Sequence, residues 1–350
     1  MSSRITGTSA ALSAPLLMTI GFVIWDKTWK GGAYALNMFK CTLASAVFLC
    51  VVPVSTQAFE GNVTQVAYLV LSAFLGIFIG DGFWLYALEV LGPRKVIVCD
   101  CIKPFLAAAC GYLFLDDEFK YVSVIGILMT MIGVFLISLE RNADKEEEEE
   151  EEGNEKEGED EEEEKVEAKI KSFEILPSSL AEKKVEKKVS WLSRKHMGAI
   201  CAVLNVIFDV FGSFLTRSYG EKMNTFEINI IRFGSASVML WIGYFIIRVV
   251  YSSSHSTPQM FRFSSFKDEI MSRKEWSVIS LGVLFVTFGA PALSNYALFK
   301  IELGICLTLT SIGPIFALPL TYISKGEPIS LRSILAALLS FGGVAVLYTL

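Results

Sequence analysis

LYALEVLGPRKVIVCDCIKPFLAAACGYLFLDDEFKYVSVIGILMTMIGVFLISL, residues 85–139, is written a second time at 295–350. The second copy reads NYALFKIELGICLTLTSIGPIFALPLTYISKGEPISLRSILAALLSFGGVAVLYTL. Tyr86-Ala87-Leu88, Pro104, Tyr112, Asp117 and Gly133 recur as Tyr296-Ala297-Leu298, Pro314, Tyr322, Glu327 and Gly343, each pair 210 residues apart without a gap. Both copies are largely apolar. Repetition of hydrophobic helices is a sequence clue to membrane-embedded secondary transporters.

Around these copies the chain falls into apolar stretches long enough to cross a bilayer, which takes about 20 residues. Ten are expected, at 11–26, 33–54, 66–90, 95–115 and 121–139, then 197–217, 226–250, 276–299, 304–323 and 330–350. The Ser/Thr-rich start reads as a short tail before the first of them. Short alternating segments of a β-barrel are absent from the sequence, so helices satisfy the backbone in lipid. The repeat extends weakly outward. Asn37-Met38-Phe39-Lys40 matches Asn229-Ile230-Ile231-Arg232, and Trp25-Asp26 matches Phe208-Asp209. Five helices per copy is an odd number, so the second copy enters from the opposite face. The expected fold is all-α and integral to a membrane, with ten transmembrane helices as two inverted five-helix repeats. The repeats span 1–140 and 196–350, with a linker at 141–195.

Composition agrees. Of 350 residues, 53% are hydrophobic, and the mean hydropathy is +0.50. The formal charge of −6 is a property of the linker. Arg141 to Lys195 holds 12 basic and 20 acidic residues; the remainder holds 19 and 17. The acidic runs Glu146–Glu152 and Glu161–Glu164 cannot build a core. After them, Lys183, Lys184, Lys187, Lys188, Arg194 and Lys195 interleave with Leu180, Val185, Val189, Trp191 and Leu192. That segment suits either an anionic membrane surface or plain solvation. No nucleic-acid partner is expected. The seven cysteines sit in or beside apolar runs and lack zinc spacing, and the two histidines fall in loops. No G-x-x-x-x-G-K-[ST] loop is present. No metal and no cofactor are expected.

The duplicated run, with its Tyr-x-Ala-Leu-like helix end, central proline, following acid and glycine-bearing helix, resembles the EamA-like branch of the drug/metabolite transporter superfamily. The resemblance covers essentially all ten helices. It implies helices 1–4 and 6–9 around a central cavity, with helices 5 and 10 outside. It also implies export or exchange of amino acids, metabolites, nucleotide sugars or sugar phosphates, with both termini cytosolic. Counting Lys and Arg near the spans gives the opposite orientation, with the linker cytosolic. The sequon Asn62-Val63-Thr64 would agree with the count.

Ionisable groups at membrane depth are costly, so they should face a cavity or a partner. Lys40 and Arg232 hold matching places on helices 2 and 7, each sharing a helix face with an asparagine three residues earlier. As a pair they suit a carboxylate or phosphate; the other reading is that each pairs with an intramembrane acid or snorkels to the interface. Asp100 and Lys103 share a face of helix 4 and either contact substrate or neutralise each other. Asp81 on helix 3 is a site for coupling to a proton if unpaired, and otherwise a partner of Lys40 or Lys103. Pro291 matches Asp81, and Asn295 lies one turn beyond it, a further candidate for substrate contact. Pro104 and Pro314 weaken helices 4 and 9 and are the expected hinges. Asp26 and Asp209 read as interfacial. Asp117 and Glu327 read as acids complementing the dipoles of helices 5 and 10.

The expected partners are a small polar solute, the lipid bilayer, and a proton or counter-substrate as coupling species. Two other classes compete with a transporter. A membrane-embedded lipid or prenyl transferase needs clustered acids for metal and diphosphate, and Asp116-Asp117-Glu118 is the nearest candidate. A scaffold would act through the acidic linker.

Overall fold

The computed structural model describes residues 2–54, 61–91, 93–118, 120–139, 179–250, 271–325 and 329–348. Among the described residues, ten helices are long and apolar enough to cross a membrane: α1 Ser3–Trp25, α2 Ala33–Val54, α3 Val63–Leu88, α4 Lys95–Phe114, α5 Tyr121–Leu139, α6 Arg194–Tyr219, α7 Thr225–Val249, α8 Arg273–Leu298, α9 Leu303–Leu320 and α10 Leu331–Tyr348. No strand occurs among the described residues. Helix α1 starts several residues earlier than the apolar pattern suggests. Its hydroxyls turn inward along the helix: Thr8 O–H donates to the Arg4 carbonyl and Ser13 O–H to that of Ser9. A Ser/Thr run can therefore be helical without leaving its hydroxyls unpaired. The backbone of α6 continues a helix that begins at Ser179. The acidic runs and the side chains of residues 180–193 lie outside the described residues.

Each repeat packs against the other, and the pairs run antiparallel. Helices α5 and α10 make this plain. A Cβ built on Gly126 would meet Leu347, while one built on Gly133 would meet Ser340 and Ala336. Numbers rise along α5 as they fall along α10. Ser340 O–H donates to the Thr130 carbonyl at 3.0 Å, and these two residues are themselves repeat mates. Contact between equivalent positions is the mark of a (pseudo) two-fold axis. Small residues bring the two backbones together, as in other membrane helix pairs. Two neighbouring glycines test this packing. A Cβ on Gly343 would lie 2.6 Å from the Thr130 nitrogen and 2.7 Å from the Gly126 carbonyl, whereas one on Gly342 meets only the flexible Met129 methyl at 3.3 Å. Gly343→Ala will therefore destabilise the folded chain by about 1–3 kcal/mol through overpacking. Gly342→Ala will be neutral or stabilising by about 0.5–1 kcal/mol through helix propensity. Thermal unfolding in detergent reads both, and equal effects would refute the close crossing.

The same order reversal joins α3 to α6. Ser72 O–H bonds to the Gly212 carbonyl at 2.6 Å and lies 2.8 Å from the Thr216 hydroxyl. Further along, Gly80 faces Phe208 and Asn205. Helix α2 meets α7 through Thr42 and Ser237, 2.9 Å apart, and through the stacked rings of Phe48 and Phe233. Helix α1 meets α8, where the Trp25 indole donates to the Ile279 carbonyl at 3.1 Å.

Repeat identity extends to local detail. Capping boxes open α3 and α8 at mated positions, Asn62 with Gln65 and Ser272 with Glu275. The amide that suggests a sequon is thus also a helix cap. Seven residues of α3, Phe74–Gly80, and six of α8, Leu284–Gly289, are π-helical in the same register. Such single-turn distortions gather at functional sites. Helix α4 breaks between Asp100 and Lys103, and α9 between Thr310 and Gly313. In each case the break is the turn that ends on a proline, Pro104 or Pro314, which can return no hydrogen bond to residue i−4.

The copies differ in where the broken halves rest. On the face bearing the termini, Leu303–Thr310 packs against Lys103–Phe114, with Gly304 directly on Ala108. Ile305, Thr308 and Leu309 are buried there. Their mates on the linker face, Lys95, Val98 and Cys99, are not. Among the described residues, Pro93–Asp100 leans on α6 and the end of α3, and Gly313–Lys325 leans on α1. The two halves do not pack together as their mates do.

Candidate functional site

Five helices contribute charged side chains well inside their spans, and these meet. Lys40 Nζ on α2 sits 2.7 Å from Asp81 Oδ2 on α3. Lys103 on α4 reaches two acids, Asp100 Oδ1 at 3.1 Å on its own helix and Asp209 Oδ2 at 3.0 Å on α6. Of the two readings left open for these residues, pairing describes Lys40, Asp81, Asp100 and Lys103. Asp209 corrects the interfacial reading: it lies in mid-helix, bound to Lys103, with 38% of its side chain exposed. Its match to Asp26 suggested a helix end, but α6 runs further on both sides of it than α1 runs past Asp26. The side chain of Asp26 lies outside the described residues.

Arg232 is the exception. It projects from α7 toward the π-helical turn of α3, where a Cβ on Gly76 would stand 3.5 Å from its Nη2. Its Nε is buried without a hydrogen-bond partner. Among the described residues no carboxylate is within ion-pair reach of it, although the field of Asp209 and Asp81 is felt there. Three cations and three acids share the region, yet one cation is left over, because Lys103 takes two carboxylates. A second unpaired donor, Asn205 Nδ2 on α6, is also buried. Its Oδ1 would lie 3.7 Å from a Cβ on Gly80, one turn along the same glycine face of α3. Asn205 was not among the residues the sequence suggested. It shares a face of α6 with Asp209, Gly212 and Thr216, a polar and small stripe of helical spacing that signals it.

Asn295 stands apart from the charges. Its Nδ2 donates to Asn229 Oδ1 at 2.7 Å, and Asn229 in turn donates to the Thr225 carbonyl. The pair is buried one turn before Arg232 and ties α8 to α7. Pro104 and Pro314 sit at the helix breaks, Pro104 beside Lys103. Aromatic rings flank the acids, with Phe83 against Phe208 and Phe22 against Trp84.

Asp117 lies at the other end of α4, and here too the structure corrects the expectation. It does not serve the dipole of α5. Asp117 Oδ1 accepts from Arg217 Nη2 at 2.6 Å, and Oδ2 accepts from the Leu303 backbone N–H at 2.9 Å. Arg217 Nη1 donates to the Ile301 carbonyl at 2.8 Å. Asp117 thus caps α9, in the other repeat. With both carboxylate oxygens engaged, it does not form an open acidic cluster with Asp116 and Glu118. Glu327 lies outside the described residues.

A sequence profile of the EamA-like transporter family matches residues 5–139 and 196–349. A crystal structure of another protein, 13% identical in sequence, superposes with a TM-score of 0.66 over 97% of each chain. At that identity the likeness is one of fold. No curated protein matches the sequence.

Proposed function

This chain belongs to the EamA-like transporter family and is a multi-pass membrane transporter, and from that premise we propose that it moves a small anionic organic solute by alternating access around Arg232. The observation that carries the reading is the leftover guanidinium. A half-buried, planar, permanently charged group with its Nε buried and unbonded, and with no ion-pair partner among the described residues, suits a bidentate carboxylate or phosphate. Lys40 and Lys103 are already paired, so Arg232 is the cation left to meet a solute, although three cations and three acids cancel in formal charge. Asp81 and Asp209 nearby limit how much negative charge it accepts. A singly charged carboxylate, or a zwitterion with its ammonium toward an acid, fits this balance better than a polyanion.

Unequal packing of the two repeats supports alternating access. Mated half-helices are closed together on one face and apart on the other, and exchange of these roles would expose the site to the opposite face. The breaks before Pro104 and Pro314 are where such a motion would bend.

Counterflow in proteoliposomes tests the substrate class. We expect saturable exchange with small monocarboxylates or amino acids, and none with their uncharged amides. Equal exchange of the amides would overturn the anionic reading.

A further inference from the structure

We propose that Asp117 and Arg217 form a one-sided latch that holds the transport path shut on the face bearing the termini. The inference rests on the alternating-access reading. The pair joins three elements that must part for that face to open. Asp117 follows α4, Arg217 lies in the last turn of α6, and both reach the start of α9, at the Leu303 N–H and at the Ile301 carbonyl just before it. Glu302, the residue before that turn, offers no cap of its own and is instead held by Arg4 of α1 at 3.2 Å. Immediately beyond, Gly304 lies on Ala108, and Cys306, Thr308 and Leu309 are buried. The polar contacts therefore stand at the rim of the closed half of the path.

The sequence makes the latch one-sided. On the 210-residue offset the mate of Asp117 is Glu327 and the mate of Leu303 is Pro93. A carboxylate can accept from the amide of Leu303, whereas proline has no N–H to give. The bond that caps α9 from across the repeat thus has no backbone counterpart at the start of α4. An inverted repeat with identical gates would favour neither state. Here the state shut on the terminal face gains a charge-assisted cap that the opposite state lacks, so it is the resting state.

Cys306, 1% exposed, reports on this gate. With the other six cysteines replaced by alanine and the full chain in nanodiscs, a thiol-reactive maleimide should modify Cys306 slowly. Asp117→Asn or Arg217→Gln should each speed labelling by about tenfold or more, the effect of losing one charge-assisted hydrogen bond. The double variant should label no faster than the quicker single one, because one latch is broken either way. Leu303→Pro, at a first-turn position where a helix accepts proline, should label faster than Leu303→Ala. Wild-type labelling rates in folded Asp117→Asn and Arg217→Gln would overturn the proposal. So would loss of the helical fold in both, since the pair would then belong to the fold and not to a gate. Labelling needs no substrate, so a failure of the anionic reading in counterflow leaves this result standing on its own.

Discussion

Arg232→Gln will cut transport of the proposed anionic solute by about 100-fold while the protein stays folded. The argument begins with what the guanidinium does in the absence of solute. It has no ion pair to lose, and its Nε is already unsatisfied. Burying an unpaired charge costs stability, so removing it relieves the fold. Glutamine keeps most of the length and an N–H donor but not the charge or the two-pronged geometry. A buried charge-assisted contact to substrate is worth about 2–5 kcal/mol when one partner is truncated, and tenfold corresponds to about 1.4 kcal/mol. Counterflow should fall accordingly, and the thermal midpoint of the empty protein should hold or rise. Normal counterflow in the variant would remove Arg232 from the substrate's path. A large drop in thermal stability would mean that a protein partner had been lost.

The fold was legible because the repeat constrains itself. Once Tyr86 and Tyr296, Pro104 and Pro314, and Gly133 and Gly343 fall on one offset, the helices and breaks of one copy predict those of the other. The capping boxes at Asn62 and Ser272 and the π-helical turns after Ala73 and Val283 obey that offset. Both boxes were also readable as N-cap residues followed three places later by Gln or Glu. The pairing of charges was not readable, because it depends on five helices meeting. Nothing along α4 says that Lys103 will hold Asp209 as well as Asp100, and so nothing says that Arg232 will be left over. Asp117 misled for a related reason. Its place before α5 suggested a local role, and the partner that claims it, Arg217, lies 100 residues on. Local rules locate helices and breaks well. Which of two carboxylates takes a given cation is settled by distances between helices.

Lys103→Met will be the most destabilising single change in the charged region, more so than Lys40→Met. Lys40 answers one carboxylate, Asp81. Lys103 answers two, and without it Asp100 and Asp209 become uncompensated like charges that face each other across α4 and α6. Breaking a buried pair by removing one partner costs about 3–5 kcal/mol, since the charge left behind has lost its water as well as its partner. Asp100 is the more enclosed acid, with 21% of its side chain exposed against 38% for Asp209. Solvent screening at Asp209 reduces its share, so the penalty should lie near the lower figure and fall mainly on Asp100. Rescue follows from that. Adding Asp100→Asn to Lys103→Met should recover most of the thermal stability, and adding Asp209→Asn should recover less. Introducing both asparagines should bring the triple variant close to wild type, because three polar or apolar groups of similar size then replace three charges. A double-mutant cycle on melting temperature gives the two coupling energies directly. Equal rescue by either asparagine would mean that Lys103 is shared evenly. No rescue by either would mean that its stem packing, and not its charge, holds α4 against α6. Counterflow in the rescued triple variant then separates structure from transport: if Lys103 only neutralises acids, flux returns with stability, and if it also meets the solute, stability returns alone.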